Sequence, residues 1–362
     1  MPQTKPSGRQ AAKAQVAGVG PRDKLRKMLA VDLDTPALYV DLDALERNIE
    51  RMQRQCRQWN VGLRPHAKTH KIREIAQMQL DAGAIGITVA KLGEAESLPG
   101  DDVLIAYPLV KEKVARVREL SKSRRVTVAV DSVQVATDLN GVRTLVEVDV
   151  GVGRCGVQSP QQAVEVAEAC TDFEGICYWP SWLDEAGFRA ACAKIDAVID
   201  ALAAAGFETT IVSGGSTPGA SKTPLIPKTT EIRPGTYVFY DASSMAAGCC
   251  VEADCALRVL TTVISTAVPG QCVVDAGSKT LSSDATVGRG TFGQVAGRNW
   301  TVRALNEEHG YIDVDSPARV GEKIWIVPSH VCPAVNLHDE IWYGRNGRVD
   351  GTWKVSARGK VR

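Results

Sequence analysis

A lysine between two histidines is the first sign of chemistry in the sequence. Residues 64–71 read RPHAKTHK and overlap a predicted strand at 62–66. In a barrel of alternating strands and helices, residues at the carboxyl end of a strand face the active site, away from bulk water. Desolvation lowers the pKa of an amine and frees it to form a Schiff base. Lys68 is therefore a candidate nucleophile, with a solvated surface lysine as the ordinary alternative.

A glycine pair flanked by hydroxyl residues forms a second candidate site. It follows an apolar run at 208–213 that predicts a strand. Small residues allow backbone N–H groups to converge on a phosphate, and barrels often place such a site after their seventh or eighth strand. This run is the seventh predicted strand, which favours a phosphate site over the alternative of a plain loop. The candidate residues are Ser213, Gly214, Gly215, Ser216 and Thr217.

A histidine and a cysteine two positions apart form the third candidate site. They are His330 and Cys332, in the segment SHVCPAVNLHD at 329–339. In an extended segment both side chains point to one face, and imidazole with thiolate suits zinc better than magnesium. Two protein ligands are too few for a closed structural site, so positions remain for water or substrate. The ordinary alternative is a buried cysteine beside an unrelated histidine.

Alternating strands and helices must position these residues. Between residues 36 and 241, short β-branched runs alternate with helical segments, which is typical of βα units with parallel strands. Eight runs predict strands, the number that closes a (β/α)8 TIM-type barrel. A helix is predicted at 186–205, and another begins near Asp43, its predicted N-cap. The predicted strands are 62–66, 84–90, 103–107, 125–131, 144–150, 173–179, 208–213 and 236–241.

The pattern changes after Met245 to β runs separated by glycine and proline, at 256–266, 271–275, 300–304, 311–314, 323–327 and 353–357. No long helix is predicted there. The sequence therefore predicts a barrel at 25–243, whose first residues can join the other domain, and a C-terminal β domain at 244–362. Residues 1–24 predict a disordered basic tail. A Rossmann fold is disfavoured because no G-x-G-x-x-G motif follows the first strand.

Composition narrows the possible partners. The 362 residues include 43 Lys plus Arg and 42 Asp plus Glu, a balance that gives no reason to expect nucleic acid or an acidic membrane as partner. No apolar run approaches the roughly 20 residues that span a bilayer, and no secretory h-region is present. The ten cysteines are unlike a disulfide scaffold, so most are expected to be reduced. These features predict a cytoplasmic protein with a small-molecule partner.

Eight motifs, taken in order, carry a family resemblance. They are TPALYVDLDALERNI (35–49), RPHAKTHK (64–71), AKLGEAE (90–96), VEVDVGVGRCGV (146–157), SGGSTP (213–218), RPGTYVFYD (233–241), DAGSKTLSSD (275–284) and SHVCPAVNLHD (329–339). They resemble the D-threonine aldolase and D-serine dehydratase family. Its members are relatives of alanine racemase that use pyridoxal phosphate on a barrel with an appended β domain. Several motifs in order are far more specific than any one of them.

The resemblance implies a cofactor site. Lys68 would bind pyridoxal phosphate as a Schiff base, and His66 is the second candidate catalytic residue. Residues 213–217 would hold the phosphate together with Tyr240. Arg154 would lie beside the ring nitrogen, leave it unprotonated and so make the ring a weaker electron sink. Such an enzyme benefits from a metal that activates the β-oxygen of the substrate directly.

The resemblance also implies a metal site and a class of substrate. His330 and Cys332 match the family's two protein ligands to a divalent metal, with zinc expected first and manganese or magnesium as alternatives. The implied substrate is a β-hydroxy D-amino acid. A homodimer is implied as well.

One position departs from the family pattern. After the sixth predicted strand, family members often read aromatic, Pro, Gly, His, and that histidine can act as a base near the β-hydroxyl. Here residues 178–182 read YWPSW, so Trp182 stands where the histidine would be. Tryptophan has no basic nitrogen and cannot accept a proton. The departure weakens the aldolase assignment, unless the alignment is displaced by one turn.

Two lyase reactions fit this pattern. The first expectation is aldol cleavage of a β-hydroxy D-amino acid to glycine and an aldehyde. The alternative is dehydration of D-serine or 3-hydroxy-D-aspartate, in which Lys68 takes the α-proton and a 2-oxo acid and ammonia are formed. Cys332 in place of a carboxylate favours zinc and hence dehydration, whereas the general pattern is at least as close to the aldolases. A non-catalytic pyridoxal-phosphate carrier would typically be the barrel alone, and a racemase would need a second base and no metal.

Overall fold

Two β sheets organise the chain in the structure, a computed structural model that describes residues 28–180 and 184–362. One is an eight-stranded parallel barrel and the other a nine-stranded sheet, so the predicted barrel with a C-terminal β domain is confirmed. The predicted tail at 1–24 and Trp182 lie outside the described residues. All ten cysteines are free thiols, as expected. Within the described ranges, no helix is long and apolar enough to cross a membrane.

The barrel strands follow one another around the sheet in parallel pairs. Strand β1 (Ala37–Asp41) belongs to the other sheet, where it pairs with strands of the C-terminal part. The barrel strands are β2 (Gly62–Leu63), β3 (Ile87–Val89), β4 (Asp102–Ile105), β5 (Arg125–Val130), β6 (Arg143–Val148), β7 (Asp172–Tyr178), β8 (Ile211–Gly214) and β9 (Glu231–Ile232). The connecting helices are α1 (Leu42–Gln58), α2 (Arg73–Asp81), α3 (Leu92–Ser97), α4 (Val114–Ser121), α5 (Val133–Asp138), α6 (Pro160–Glu168) and α7 (Glu185–Ala204).

The first and second barrel strands meet just beyond their regular ends. The backbone N–H of Ile85 donates to the carbonyl of Leu63 at 2.9 Å, and His66 forms an isolated parallel bridge with Thr88. These contacts close the barrel. They also fix the segment that leads from β2 into the lysine motif.

A buried ionic group inside the barrel ties distant strands together. Arg64 donates through Nε to Glu231 at 3.0 Å and through Nη1 to Asp102 at 2.6 Å. Removing one partner of such a buried pair leaves an uncompensated charge, which typically costs about 3–5 kcal/mol. The network therefore fixes the mutual positions of β2, β4 and β9.

The eighth predicted strand, at 236–241, is wrong. The eighth barrel strand is β9, and residues Thr236–Val238 form a 3₁₀ helix instead. Pro234 follows β9 closely and has no N–H to donate, so the ladder cannot continue toward the apolar run. The apolar run is buried for another reason, because Phe239 packs into the core of the second sheet.

The second sheet contains the C-terminal strands and closes partly on itself. Besides β1, its strands are β10 (Leu257–Ser265), β11 (Gln271–Val274), β12 (Gly293–Val295), β13 (Thr301–Leu305), β14 (Gly310–Asp313), β15 (Lys323–Pro328), β16 (Glu340–Gly344) and β17 (Gly351–Lys354). The order is β11-β14-β13-β12-β15-β10-β1-β16-β17, with an additional β11–β10 pairing. The sequence predictions missed three strands of this sheet, β1, β12 and β16. The described helices after the barrel are short, as predicted: α8 (Ala242–Ala246), α9 (Ser278–Leu281) and α10 (Val331–Asn336).

The N-cap of α1 is Asp41, so the prediction of Asp43 is wrong by two positions. Oδ1 of Asp41 accepts hydrogen bonds from the backbone N–H groups of Asp43 at 2.9 Å and Ala44 at 3.1 Å. Strand β1 thus passes directly into the helix, with no loop between them. Asp43 lies in the first turn, where the positive end of the helix dipole stabilises its carboxylate, which also pairs with Arg345.

The C-terminal domain covers one side of the barrel mouth. The N–H of Ala357 donates to the carbonyl of Lys71 at 3.0 Å, directly after the lysine motif. Ile72 and Ile75, which follow that motif, are buried in the core of the second sheet. The lysine motif therefore lies at the junction of the two domains.

Candidate active site at the barrel mouth

Lys68 lies on the first turn after β2, at the carboxyl end of the barrel. This turn, Ala67–Thr69, is a 3₁₀ helix. The next lysine, Lys71, is buried and pairs with Glu94 at 3.2 Å. In the described ranges the amine of Lys68 has no hydrogen bond or ion pair, and the residue is partly exposed. Of the two lysines, Lys68 is therefore the one available for covalent chemistry.

His66 lies two residues before Lys68 as a neutral imidazole. Burial, together with the positive charges of Lys68 and Arg233, holds the pKa of His66 well below its usual value of 6.5. Its Nδ1 is buried and has no hydrogen-bond partner among the described residues. An unpaired buried polar atom costs about 1–3 kcal/mol, so a polar group of a bound molecule would be favoured there. A catalytic role for His66 stays a prediction.

The loop after β8 follows the seventh barrel strand, as the sequence predicts. Gly215 has φ +84°, a left-handed conformation, and a Cβ there would lie 2.8 Å from the side chain of Ile232. Ser216 and Thr217 are buried in the same loop. The hydroxyl oxygen of Thr217 accepts a hydrogen bond from the N–H of Tyr237 at 3.0 Å, and its proton remains available to donate to a ligand.

Two members of the predicted phosphate site have structural partners inside the barrel. The hydroxyl of Ser213 donates to Glu231 at 2.6 Å and accepts from Nη1 of Arg233 at 2.6 Å. A Cβ on Gly214 would lie 2.0 Å from the ring of Tyr178. The side chain of Ser213 is therefore used within the barrel, and the phosphate prediction depends on the rest of the loop.

Tyr240, the remaining predicted phosphate contact, is buried near the same loop. It shares an apolar cluster with Ala220, which begins the helical turn after that loop. The guanidinium of Arg51 lies 5.3 Å from the centre of its ring. Burial raises the pKa of Tyr240 to about 12, so the phenol stays protonated at neutral pH and can donate a hydrogen bond.

Arg154 is held at the barrel mouth by a carboxylate and an indole ring. Its Nη2 lies 3.5 Å from Oε1 of Glu147, and its guanidinium carbon lies 4.2 Å from the ring centre of Trp179. Burial raises the pKa of Glu147, while Arg233 and Arg154 oppose this rise. Arg154 itself is half-exposed. Its contact with a cofactor ring stays a prediction.

His330 and Cys332 lie together, although the predicted extended segment is wrong. His330 is the N-cap residue of α10, and Cys332 lies in the first turn of that helix. The buried carboxylate of Asp241 accepts from the N–H of Val331 at 3.2 Å and so fixes the start of the helix. Although burial lowers it, the pKa of His330 is raised to about 9, because Cys332 and Asp284 stabilise the imidazolium. His330 in turn lowers the pKa of Cys332 against the effect of burial.

A threonine joins the cysteine to the lysine turn. Sγ of Cys332 lies 3.3 Å from Oγ1 of Thr69, the residue after Lys68, although Thr69 and Cys332 are 263 positions apart in sequence. The hydroxyl of Thr236 lies 3.9 Å from the same sulfur. The fold therefore brings two of the predicted sites, the lysine motif and the His-Cys pair, to one place.

The residues at the barrel mouth fit both groups that the sequence implies. For pyridoxal phosphate, they offer the amine of Lys68 and Nδ1 of His66, both without a partner among the described residues, and a glycine loop after the seventh strand. For a metal ion, the donors of His330 and Cys332 are an imidazole and a thiol, which suit zinc. Over the described residues, no group of three or more His, Cys, Asp or Glu could hold a metal. The pair would thus share an ion with water or substrate.

Sequence reasoning missed four residues that support the site: Thr69, Glu147, Arg233 and Asp284. All four lie inside the motifs that carry the family resemblance, so membership of a motif could have identified them as candidates. Their roles depend on partners from other motifs, which spacing along the chain does not show. Trp182, the departure from the family pattern, lies outside the described residues.

Two family models match the chain. The alanine racemase N-terminal domain matches residues 40–243, more than half of the chain, and a serine dehydratase domain matches residues 256–343. The two matched ranges correspond to the barrel and to most of the second sheet.

Whole-chain relatives agree with these models. The 3-hydroxy-D-aspartate aldolase of Paracoccus denitrificans (strain Pd 1222) is 35% identical, over 91% of this chain and 93% of the relative. The D-threo-3-hydroxyaspartate dehydratase of Delftia sp. (strain HT23) is 32% identical, over 83% of this chain and 91% of the relative. The crystal structure of D-threonine aldolase from Filomicrobium marinum has a TM-score of 0.84 and 32% identity, over 93% of this chain and 100% of that one. The chain therefore belongs to the D-threonine aldolase and D-serine dehydratase family, whose members are pyridoxal-phosphate-dependent lyases of D-amino acids.

Proposed function

We propose that this lyase acts on β-hydroxy D-amino acids and that Lys68, His330 and Cys332 carry its chemistry. The contact of Cys332 with Thr69 at 3.3 Å is the main support, because it sets the amine and the two metal donors around one space. A substrate held at Lys68 would thus present its Cβ oxygen to the His-Cys pair. Bound pyridoxal phosphate withdraws electrons from the α-carbon of an attached amino acid.

Different residues of the barrel mouth would bind different parts of the cofactor. Lys68 would bind it covalently through Nζ, and the loop at 215–217 with Tyr240 would hold its phosphate. Arg154 would contact the pyridine side. Nζ of Lys68 would also supply the base for the proton on the α-carbon, because this amine has no hydrogen bond or ion pair within the described residues.

His330 and Cys332 would hold a divalent metal, with zinc expected first and manganese or magnesium as alternatives. Such an ion polarises an oxygen that is bound to it. A variant of D-threo-3-hydroxyaspartate dehydratase with one cysteine replaced by alanine has been solved in a metal-free form. A variant of the same enzyme with a histidine replaced two positions earlier has also been solved. This His-x-Cys spacing equals that of the pair in the present chain, which supports the proposal.

Within this class, dehydration is the first candidate. Dehydration needs a base for the α-proton and a way to release hydroxide from Cβ. Lys68 would supply the first, and hydroxide would leave next to His330 and Cys332. Aldol cleavage needs instead a base for the β-hydroxyl proton, and the half-buried His66 lies near two cations that disfavour its protonation.

Aldol cleavage to glycine and an aldehyde, the first expectation from the sequence, is the second candidate. The specific observation in its favour is the whole-chain identity of 35% to a 3-hydroxy-D-aspartate aldolase. Both reactions start from the same bound substrate, so the same residues serve either one.

The family resemblance supports a further part of the proposal, a homodimer, while the cytoplasmic location expected from the sequence stays a prediction. A homodimer would show twice the mass of one 38.8 kDa chain in sedimentation equilibrium. A single-chain mass at micromolar concentration would reject it.

Product analysis tests the proposed function. With 3-hydroxy-D-aspartate or D-serine as substrate, we expect a 2-oxo acid and ammonia as the main products. Chelation should stop their formation, and the L-isomers should give none. Glycine and an aldehyde from D-threonine or 3-hydroxy-D-aspartate would favour the second candidate instead. Racemised substrate without cleavage would reject both lyase reactions, and lyase turnover that is insensitive to chelator would reject the role of the metal.

Replacing Gly215 by alanine is expected to weaken cofactor binding. The new Cβ would meet the side chain of Ile232 at 2.8 Å, so the loop that holds the phosphate must shift. Gly206 is the matched control, because it has a similar φ of +88° but open space around its Cβ position. Both alanines should cost about 1–2 kcal/mol of backbone strain. Only Gly215→Ala should raise the dissociation constant for pyridoxal phosphate, and equal affinities in the two variants would count against the site.

A further inference from the structure

We propose that Asp284 is a positioning residue for the metal ion, because it holds His330 with Nε2 as the metal-facing atom. The inference rests on the proposed metal site and adds a residue to it. Oδ2 of Asp284 lies 2.7 Å from Nδ1 of His330. The two residues come from different parts of the β domain, 46 positions apart in sequence.

The chemistry of the two groups fixes which ring nitrogen is available. An ionised carboxylate only accepts hydrogen bonds, so Nδ1 of His330 must carry the proton in this contact. In the neutral imidazole the lone pair then lies on Nε2, and a metal ligand needs that lone pair. A carboxylate bound to the second nitrogen of a metal-binding histidine also orients the ring and raises its basicity. Asp284 therefore selects both the donor atom and its direction.

The backbone around Asp284 holds this contact in place. The hydroxyl of Ser329, the residue before His330, donates to the carbonyl oxygen of Asp284. The N–H of Asp284 donates to the hydroxyl of Ser282 at 3.3 Å. The segment that contains Asp284 and the segment that contains His330 are thus joined twice, once through the hydroxyl of Ser329 and once through the carboxylate of Asp284. A chance contact between two mobile side chains would not have this support.

The solvent exposure of the ion pair between Asp284 and His330 allows a positioning role to be distinguished from a role in folding stability. The side chains of His330 and Asp284 are 41% and 54% exposed. Exposed ion pairs contribute little to folding stability, so loss of the carboxylate should leave the melting temperature nearly unchanged. An effect on metal affinity would then come from the orientation of His330 and not from damage to the fold.

Zinc affinity of the pyridoxal-phosphate-loaded protein tests the inference. Metal-depleted protein would be titrated with zinc against a chromophoric chelator, for the unmodified chain and for Asp284→Ala, Asp284→Asn and Asp313→Ala. Asp313 is the matched control, because its ion pair with Arg303 is also 2.7 Å long and its side chain is 58% exposed. We expect Asp284→Ala to raise the dissociation constant for zinc about 10–100-fold, as losses of such carboxylates do. The dissociation constant of Asp284→Asn should lie between those of the unmodified chain and Asp284→Ala, because its amide oxygen can still accept a hydrogen bond from Nδ1.

Cofactor absorbance and melting temperature should stay constant across these variants. Unchanged zinc affinity in Asp284→Ala would overturn the inference, and so would an equal loss in Asp313→Ala. His330→Ala in the same titration separates the inference from the proposed function. If His330→Ala loses zinc while Asp284→Ala does not, the metal site stands and the role of Asp284 fails. If His330→Ala also keeps zinc, the metal site itself is wrong and the inference fails with it.

Discussion

Replacing Lys68 by alanine is expected to abolish lyase activity together with the visible absorbance of lysine-bound cofactor. The change removes the covalent anchor and the base for the α-proton at once. Loss of a positioned base alone typically costs about 10²–10⁴-fold in rate. Because the covalent anchor is lost as well, the rate should fall by at least the upper end of that range, about 10⁴-fold. Absorbance spectra and steady-state product formation would measure the two losses. Free cofactor can still bind to the phosphate loop.

Borohydride reduction gives an independent test on the unmodified protein. Reduction would fix the cofactor to its lysine, and peptide mapping would then locate it. We expect the label on Lys68, because Lys71 in the same motif is buried and paired with Glu94 at 3.2 Å. Lys71→Met serves as the control variant and should keep the visible absorbance, although it removes the ion-pair partner of Glu94 and so lowers stability. A label on any lysine other than Lys68 would contradict the assignment.

The barrel was predictable from the sequence because its strands are short apolar runs at regular spacing. Seven of the eight predicted runs overlap barrel strands. The eighth failed because β9 is only Glu231–Ile232, and Glu231 is a polar residue buried in an ion pair with Arg64 at 3.0 Å. A pattern of apolar residues cannot reveal such a strand. The next apolar run, at 236–241, is instead buried between the domains.

The sequence predicted which residues form the candidate site, but not which of them contact one another. Lys68 and the His-Cys pair were found because residue type and local spacing carry their chemistry. The contact of Thr69 with Cys332, 263 positions away, and that of Asp284 with His330 come from tertiary packing, which one sequence does not show. Spacing also misled in one respect. Residues two apart suggested an extended segment, whereas a helix start brings His330 and Cys332 together.

Removing the metal is expected to abolish dehydration while the cofactor stays bound. Without an ion at His330 and Cys332, hydroxide must leave Cβ unassisted. Metal polarisation of an oxygen is worth several kcal/mol in the transition state, so the rate should fall by about 10³-fold. Dialysis against a chelator, followed by elemental analysis, spectra and product assays, would measure this, and zinc should restore turnover. His330→Ala should behave like the chelated protein, because it lacks one of the two donors.

The side chain at position 332 is expected to decide which metal is held and which reaction follows. Thiolate is a soft ligand and carboxylate a hard one, so Cys332→Asp should shift the preferred ion from zinc toward manganese or magnesium. With that change we expect the ratio of aldehyde to 2-oxo acid to rise, measured on 3-hydroxy-D-aspartate with each metal. Cys332→Ala is the control, because it removes the thiol without adding a carboxylate and should lose both metal and turnover. Cys332→Asp with unchanged metal preference would show that the thiol is no ligand. Absence of stoichiometric metal from the unmodified protein, with turnover that survives chelation, would reject the metal-assisted mechanism altogether.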